Sequence, residues 1–300
     1  MHYEGPIYRP PVEADTLLLQ VTVGCAHNIG CAHNKCTYCS MYKDVCFKME
    51  PLDQIEEDLK EAKIIYGSLE RIYLVNGDPF VLKADYLKDI ALKIKEYFPE
   101  CKTITMYASI QNIKAKTDKE LAELQSLGIN DLYVGVESGV DEVLANINKG
   151  HTLEEAKVQL ERLNKANIGH RALLMLGVAG KGNGEVNAIE TAKFLNETKP
   201  NLIWVGTLGV FEGTKMAKDV EEGNFVEATE IENLMELKTL INNIELENVP
   251  FYCVHTTNVI PVLGVLPRDK EKMLRQIDEG IEKLGFDYLS TTFRRDSKNN

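Results

Sequence analysis

The chain has 300 residues and a formal net charge of −12, with 44% hydrophobic and 27% charged residues. That balance is typical of an ordinary folded protein and fits a single α/β barrel. The acidity argues against non-specific binding to nucleic acid or anionic lipid, and no apolar stretch approaches the roughly 20 residues of a membrane span. Seven cysteines are too few for a disulfide scaffold, and no secretory signal is visible, so a reduced, cytoplasmic protein is expected.

Residues 1–15 read as an extended, proline-containing arm. A β-rich apolar run, Leu17–Val23, ends at Gly24 and leads into a cysteine-bearing loop. Residues 55–65 then predict an amphipathic helix, 71–76 a short buried strand closing on Gly77-Asp78-Pro79, and 82–98 a helix. Strand, helix and strand follow at 102–109, 118–127 and 131–137, and a helical stretch at 140–148 stops at Lys149-Gly150. Thr152 has the form of an N-cap with Glu155 at the capping-box position. Residues 168–177 and 202–208 predict strands, and 185–196 and 230–244 helices. A last strand-like run from Pro250 and a helix over 268–284 complete the pattern. Six strand–helix units in succession imply a parallel sheet with helices packed outside it. The expected organisation is an arm at 1–15, a core at 16–245, an extension packed on it at 246–290 and a disordered tail at 291–300.

Cys31, Cys36 and Cys39 fall within nine residues, with four residues between the first two and two between the last two. Three thiolates that close can hold three irons of a cubic cluster and leave a fourth open to a non-protein ligand. The loop sits at a strand end, where parallel α/β folds place their chemistry. Zinc stays open as a reading, because His27, His33, Cys25 or Cys46 would complete four ligands. A thioredoxin-like pair of Cys36 and Cys39 would leave Cys31 without a role.

With these motifs in order at successive strand ends, the chain resembles the radical S-adenosylmethionine (radical SAM) enzymes. It looks most like a stand-alone group carrying a CxHNKCT-aromatic-C signature. The resemblance implies a partial TIM-type (β/α)6 barrel of parallel strands with a C-terminal strand and helix extension. It also implies a [4Fe-4S] cluster on Cys31, Cys36 and Cys39, and S-adenosylmethionine (SAM) as cofactor. Tyr38, before the last cysteine, would lie against the adenine. Asn76, Gly77 and Asp78 would meet the methionine amino group, and Ser109 would add a polar contact. Glu137, followed by Ser138, would address the ribose, and Gly177 the adenine. Two features depart from the family: the Cys31–Cys36 spacing, and a partial duplication in which Cys25-Ala-His-Asn28 precedes Cys31-Ala-His-Asn34. The duplication leaves Cys25 as a possible replacement for Cys31.

The implied chemistry is reductive cleavage of SAM to a 5′-deoxyadenosyl radical, which abstracts hydrogen from a substrate. A low-potential donor of flavodoxin or ferredoxin type would supply the electron. The substrate is unknown; a small molecule or peptide is favoured over nucleic acid. Candidate substrate-side residues are Tyr107, His170, Arg171, Glu212, Cys253 and His255, with a buried inert thiol as the plain alternative for Cys253. The competing reading is a non-catalytic iron–sulfur or zinc protein with an electron-transfer or structural role.

Overall fold

The computed structural model describes residues 1–26, 36–42 and 45–295. In chain order the elements are β1 (Leu17–Gln20), β2 (Thr22–Val23), β3 (Lys48–Met49), α1 (Leu52–Tyr66), β4 (Arg71–Val75) and α2 (Ala84–Tyr97). They continue with β5 (Thr103–Ala108), α3 (Ile110–Lys114), α4 (Asp118–Ser126), β6 (Ile129–Glu137), α5 (Asp141–Asn146) and α6 (Leu153–Lys165). Next come β7 (Gly169–Leu176), α7 (Gly184–Thr198), β8 (Leu202–Thr207), α8 (Lys215–Glu221) and α9 (Glu230–Asn243). The chain closes with β9 (Val249–Cys253), β10 (Val262–Leu266), α10 (Lys270–Leu284) and α11 (Phe286–Leu289).

Eight strands form one sheet in the order β1-β4-β5-β6-β7-β8-β9-β10, and β2 pairs with β3 separately. The pairs β1–β4, β4–β5, β5–β6, β7–β8 and β8–β9 are parallel, and β9–β10 is antiparallel. Strand order follows chain order, the arrangement from which a (β/α)-barrel wall is built. The expected α/β class is therefore present. Side-chain alternation explains which face carries chemistry. In β5, and in β6 from Asp131 onward, the even positions (Ile104, Met106, Leu132, Val134, Val136) are apolar and buried, whereas the odd ones carry Thr105, Tyr107, Asp131, Tyr133 and Glu137, with Gly135 between the last two.

Contacts divide the chain into two compact units: Met1–Asn34, Met41–Gly135 and Val158–His170 form one, and Lys35–Ser40, Val136–Lys157 and Arg171–Asn300 the other. In the first, Arg71 pairs with Glu13 at 2.6 Å and Asp131 at 2.8 Å, and the Tyr133 hydroxyl donates to Glu13 at 2.6 Å. Glu13 is 1% exposed, so the N-terminal arm is locked in place by a buried ion cluster. Beside it, the rings of Tyr73, Tyr107 and Tyr133 meet edge to face. In the second unit α9 buries Leu234, Leu237, Leu240 and Ile241 at helical spacing.

Several elements differ from the sequence reading for local reasons. The helix expected over 140–148 is shorter, and Asn148 takes a left-handed φ of 51° just beyond it. The Thr152–Glu155 capping box forms, with both reciprocal bonds at 3.2 Å. β10 was not expected, since Pro261 and Gly264 give Val262–Leu266 a turn-like composition. Residues 291–295, placed in a disordered tail by the sequence, are anchored instead: Arg295 pairs with buried Glu230 at 2.7 Å, and Phe293 N–H donates to the same carboxylate.

Candidate active site

The second unit holds one group of site residues at the end of β6. Glu137 terminates the strand with φ 64°, a left-handed conformation that costs a non-glycine residue roughly 1–3 kcal/mol and persists where its surroundings impose it. Its Oε1 accepts from Lys149 Nζ at 2.7 Å and from the Tyr38 hydroxyl at 3.1 Å. Lys149 lies just beyond α5. Burial alone would lower its pKa, but Glu137 and the nearby Cys36 and Cys39 thiols outweigh that and raise it. Burial pushes the Cys36 thiol up, and the Lys149 cation opposes that shift. Burial and the Glu137 carboxylate together hold the Tyr38 phenol well above its usual range.

Backbone bonds fix the cysteine segment: Thr37 N–H donates to Ile147 O at 3.0 Å, and Met216 N–H donates to Thr37 O at 2.9 Å. Tyr38 packs against an apolar cluster of Val143, Leu144, Ile147, Val178 and Met216. Cys36 and Cys39 are half buried, and neither is in a disulfide. Cys31, the expected first ligand, lies outside the described residues, as do His27 and His33. Sequence reasoning missed Lys149, treating Lys149-Gly150 only as a helix stop.

The first unit holds another group at the ends of β4 and β5. Asn76 has φ 88° and is fully buried. Its amide is spent inside the protein, donating to Thr22 O at 2.6 Å and accepting from the Tyr42 hydroxyl at 3.1 Å. Gly77 N–H donates to Gly24 O, and a Cβ at Gly77 would lie 2.6 Å from Cys25 Cβ. Only glycine allows that approach. Asp78 is 2% exposed. Its Oδ2 accepts from Asn112 Nδ2 at 2.6 Å, while its Oδ1 is buried without a partner. Burial raises its pKa to about 6, against the pull of Ser109, Asn112 and Lys116. Ser109 also N-caps α3. Lys116, which sequence reasoning also missed, donates to Phe80 O at 2.6 Å and sits 4.2 Å from the Phe80 ring centroid. Burial lowers its pKa to about 8.

The remaining candidates divide clearly. Ser138 is buried, with its hydroxyl 2.5 Å from Asn187 Oδ1, so it serves the scaffold. Gly177 has φ 74°, a conformation that favours glycine. Tyr107 and Arg171 are half buried, and Glu212 is exposed. His170 is 1% exposed with neither ring nitrogen bonded, and burial lowers its pKa to about 4. It stays neutral near pH 7 and has no proton partner. Cys253 is fully buried beside Leu176, Leu234 and Leu237, and burial raises its thiol pKa strongly. This is the inert-thiol alternative. His255 is half buried, with Nδ1 2.8 Å from Thr257 Oγ1.

Comparison with known proteins gives the family of the chain. Residues 20–195 match the Radical SAM superfamily, and the chain belongs to it. This is the domain that works with a [4Fe-4S] cluster and S-adenosylmethionine. The heme chaperone HemW of Bacillus subtilis is 25% identical over 153 residues, covering 49% of this chain and 40% of that protein. The oxygen-independent coproporphyrinogen-III oxidase-like protein HemZ of Bacillus subtilis is 24% identical over 217 residues, covering 70% and 41%. The chain thus spans well under half the length of these relatives. Among solved structures, Methanocaldococcus infernus Elp3 superposes with a TM-score of 0.56 at 15% identity, covering 89% of this chain and 63% of that one. Coproporphyrinogen III oxidase (HemN) from Escherichia coli, a radical SAM enzyme, gives 0.50 at 15% identity, covering 90% and 52%. These likenesses show the fold.

Proposed function

We propose that the chain is a radical SAM enzyme acting on a small molecule or peptide. The observation that carries this reading is the placement of two thiols, Cys36 and Cys39, beside the Lys149 cation inside the matched segment. Cys36 and Cys39 would hold the cluster with Cys31, or with Cys25 in its place. When bound, the cluster and SAM supply a one-electron cleavage that yields a 5′-deoxyadenosyl radical.

The chain's own residues fit that cargo. Asp78 offers a buried oxygen with no partner, which suits an ammonium group. Gly77 lets the backbone of the same turn approach closely, and Ser109 and Asn112 orient the carboxylate. Glu137, with Lys149 and Tyr38 on one oxygen, is oriented to accept from ribose hydroxyls. Lys149 offsets the negative charge of the thiolates, which favours their ionised, metal-binding form. A low-potential flavodoxin or ferredoxin would deliver the electron.

The likeness to HemW favours a second reading, in which the chain holds its cofactors for binding rather than turnover. Anaerobic reconstitution with iron and sulfide tests the shared part. The proposal expects about four irons per chain and a spectrum of the reduced cluster that changes on adding SAM. A four-iron cluster indifferent to SAM contradicts both readings.

A further inference from the structure

Glu236 belongs to none of the motifs, yet its carboxylate bonds the end of one strand directly and reaches a second through Asn187. It projects from α9, is 3% exposed, and accepts from Gly177 N–H through Oε2 at 2.8 Å and from Asn187 Nδ2 through Oε1 at 2.7 Å. Asn187, on α7, carries the connection onward, its Oδ1 lying 2.5 Å from the Ser138 hydroxyl. Ser138 Oγ accepts from Val140 N–H, and Gly139 N–H donates to Thr191 of α7. A buried chain of bonds therefore runs from the loop after β6, through α7 and α9, to the loop after β7. The same helix grips that second loop again, since Glu232 accepts from Gly182 N–H at 3.0 Å. Gly177 also packs so tightly on Asn233 that an added Cβ would lie 2.6 Å from its Oδ1.

We infer that Glu236 is a positioning residue for the adenosine part of SAM, setting the spacing between the Glu137 loop and the Gly177 loop. The inference rests on the proposed reading of these strand ends as a SAM site. A carboxylate suits the task because it alone offers two acceptor oxygens to two converging N–H donors. Substitution by an amide turns one acceptor into a donor facing another donor.

Burial raises the Glu236 pKa to about 7, despite the bonds from Asn187 and Gly177 that lower it. Around it, α7 presents Asn187 and Thr191, β7 presents Leu174 and Leu176, and α9 itself adds Leu240. Among the described residues lining this small cavity, Glu137 is the other ionisable group. The ionised form, which accepts both bonds, is therefore lost as pH falls through about 7, and the tie between the loops weakens with it.

The test measures SAM binding by equilibrium dialysis on the reconstituted, unreduced protein between pH 6 and 8. For Glu236→Gln the expected result is a dissociation constant about tenfold higher, with iron content and cluster absorbance unchanged. Wild-type affinity should weaken as pH falls through 7, and the variant should lose that part of the dependence while keeping the part near pH 6 that belongs to Asp78. Asn187→Leu, which cuts the tie to Ser138 but leaves Glu236 on Gly177, should also weaken binding if the first variant folds poorly. Wild-type protein that binds SAM while both variants match it at every pH would overturn this inference alone. Wild-type protein with a cluster but no SAM affinity would overturn the underlying site reading as well.

Discussion

The two groups of site residues solve opposite electrostatic problems. At the end of β6 the Glu137 carboxylate is paired, with a cation and a phenol on one oxygen. At the turn after β4 the Asp78 carboxylate is more deeply buried, has a raised pKa, and keeps one oxygen without a partner. A paired charge stabilises the fold that holds it. An unpartnered buried oxygen costs stability and is retained where a ligand completes it. The first group is thus preorganised by the protein itself, and the second is completed by what binds.

This contrast can be broken by substitution. The largest effect belongs to Cys36→Ala, which should abolish the four-iron cluster and with it SAM binding, as read by iron content and absorbance. Lys149→Met should come next. It strands Glu137 among buried neighbours and should lower stability by about 3 kcal/mol in urea unfolding. Unchanged stability would show that the pair contributes nothing to the fold.

His170 gives a pH-dependent effect. Its pKa is about 4 in the folded protein against 6.5 unfolded, so the unfolded chain binds the extra proton. Stability is therefore full above pH 6.5 and falls as pH drops towards 4. By pH 5 the loss is roughly 2 kcal/mol, and His170→Leu should flatten this part of the pH–stability curve.

Asp78→Asn should show the reverse of the Lys149 variant: stability kept or slightly raised, and SAM affinity reduced about tenfold. Equal losses of stability from both variants would erase the distinction between the two groups. The smallest effect is expected for Cys253→Ala. It should leave cluster and SAM binding intact and cost about 1 kcal/mol of stability, whereas lost turnover would return that thiol to the substrate side.

The sequence reveals the skeleton of the site better than its electrostatics. Strand ends are legible because apolar runs stop at Gly77, Glu137 and Gly177, and the strand–helix alternation makes the parallel sheet legible too. The cysteine spacing points to a cluster without any structure. What escapes is whatever depends on partners distant in sequence. Asn76 and Ser138 look like ligand residues but spend their polar atoms on Thr22, Tyr42 and Asn187. Lys149 reads as the end of a helix until its ammonium meets Glu137, and Glu236 reads as one more acid in a charged helix until its carboxylate meets Gly177. Cys253 and His255 share a strand face by period, yet one thiol is sealed in the core while the ring beyond the strand end bonds Thr257. Local pattern locates a residue; only tertiary contacts show what its polar atoms are doing.

The most direct test of the central claim is formation of 5′-deoxyadenosine from SAM by the anaerobically reconstituted, dithionite-reduced protein. The account predicts this product, and predicts that it disappears in Cys36→Ala. A protein that carries the cluster and binds SAM but forms no 5′-deoxyadenosine under reduction would contradict the enzyme reading.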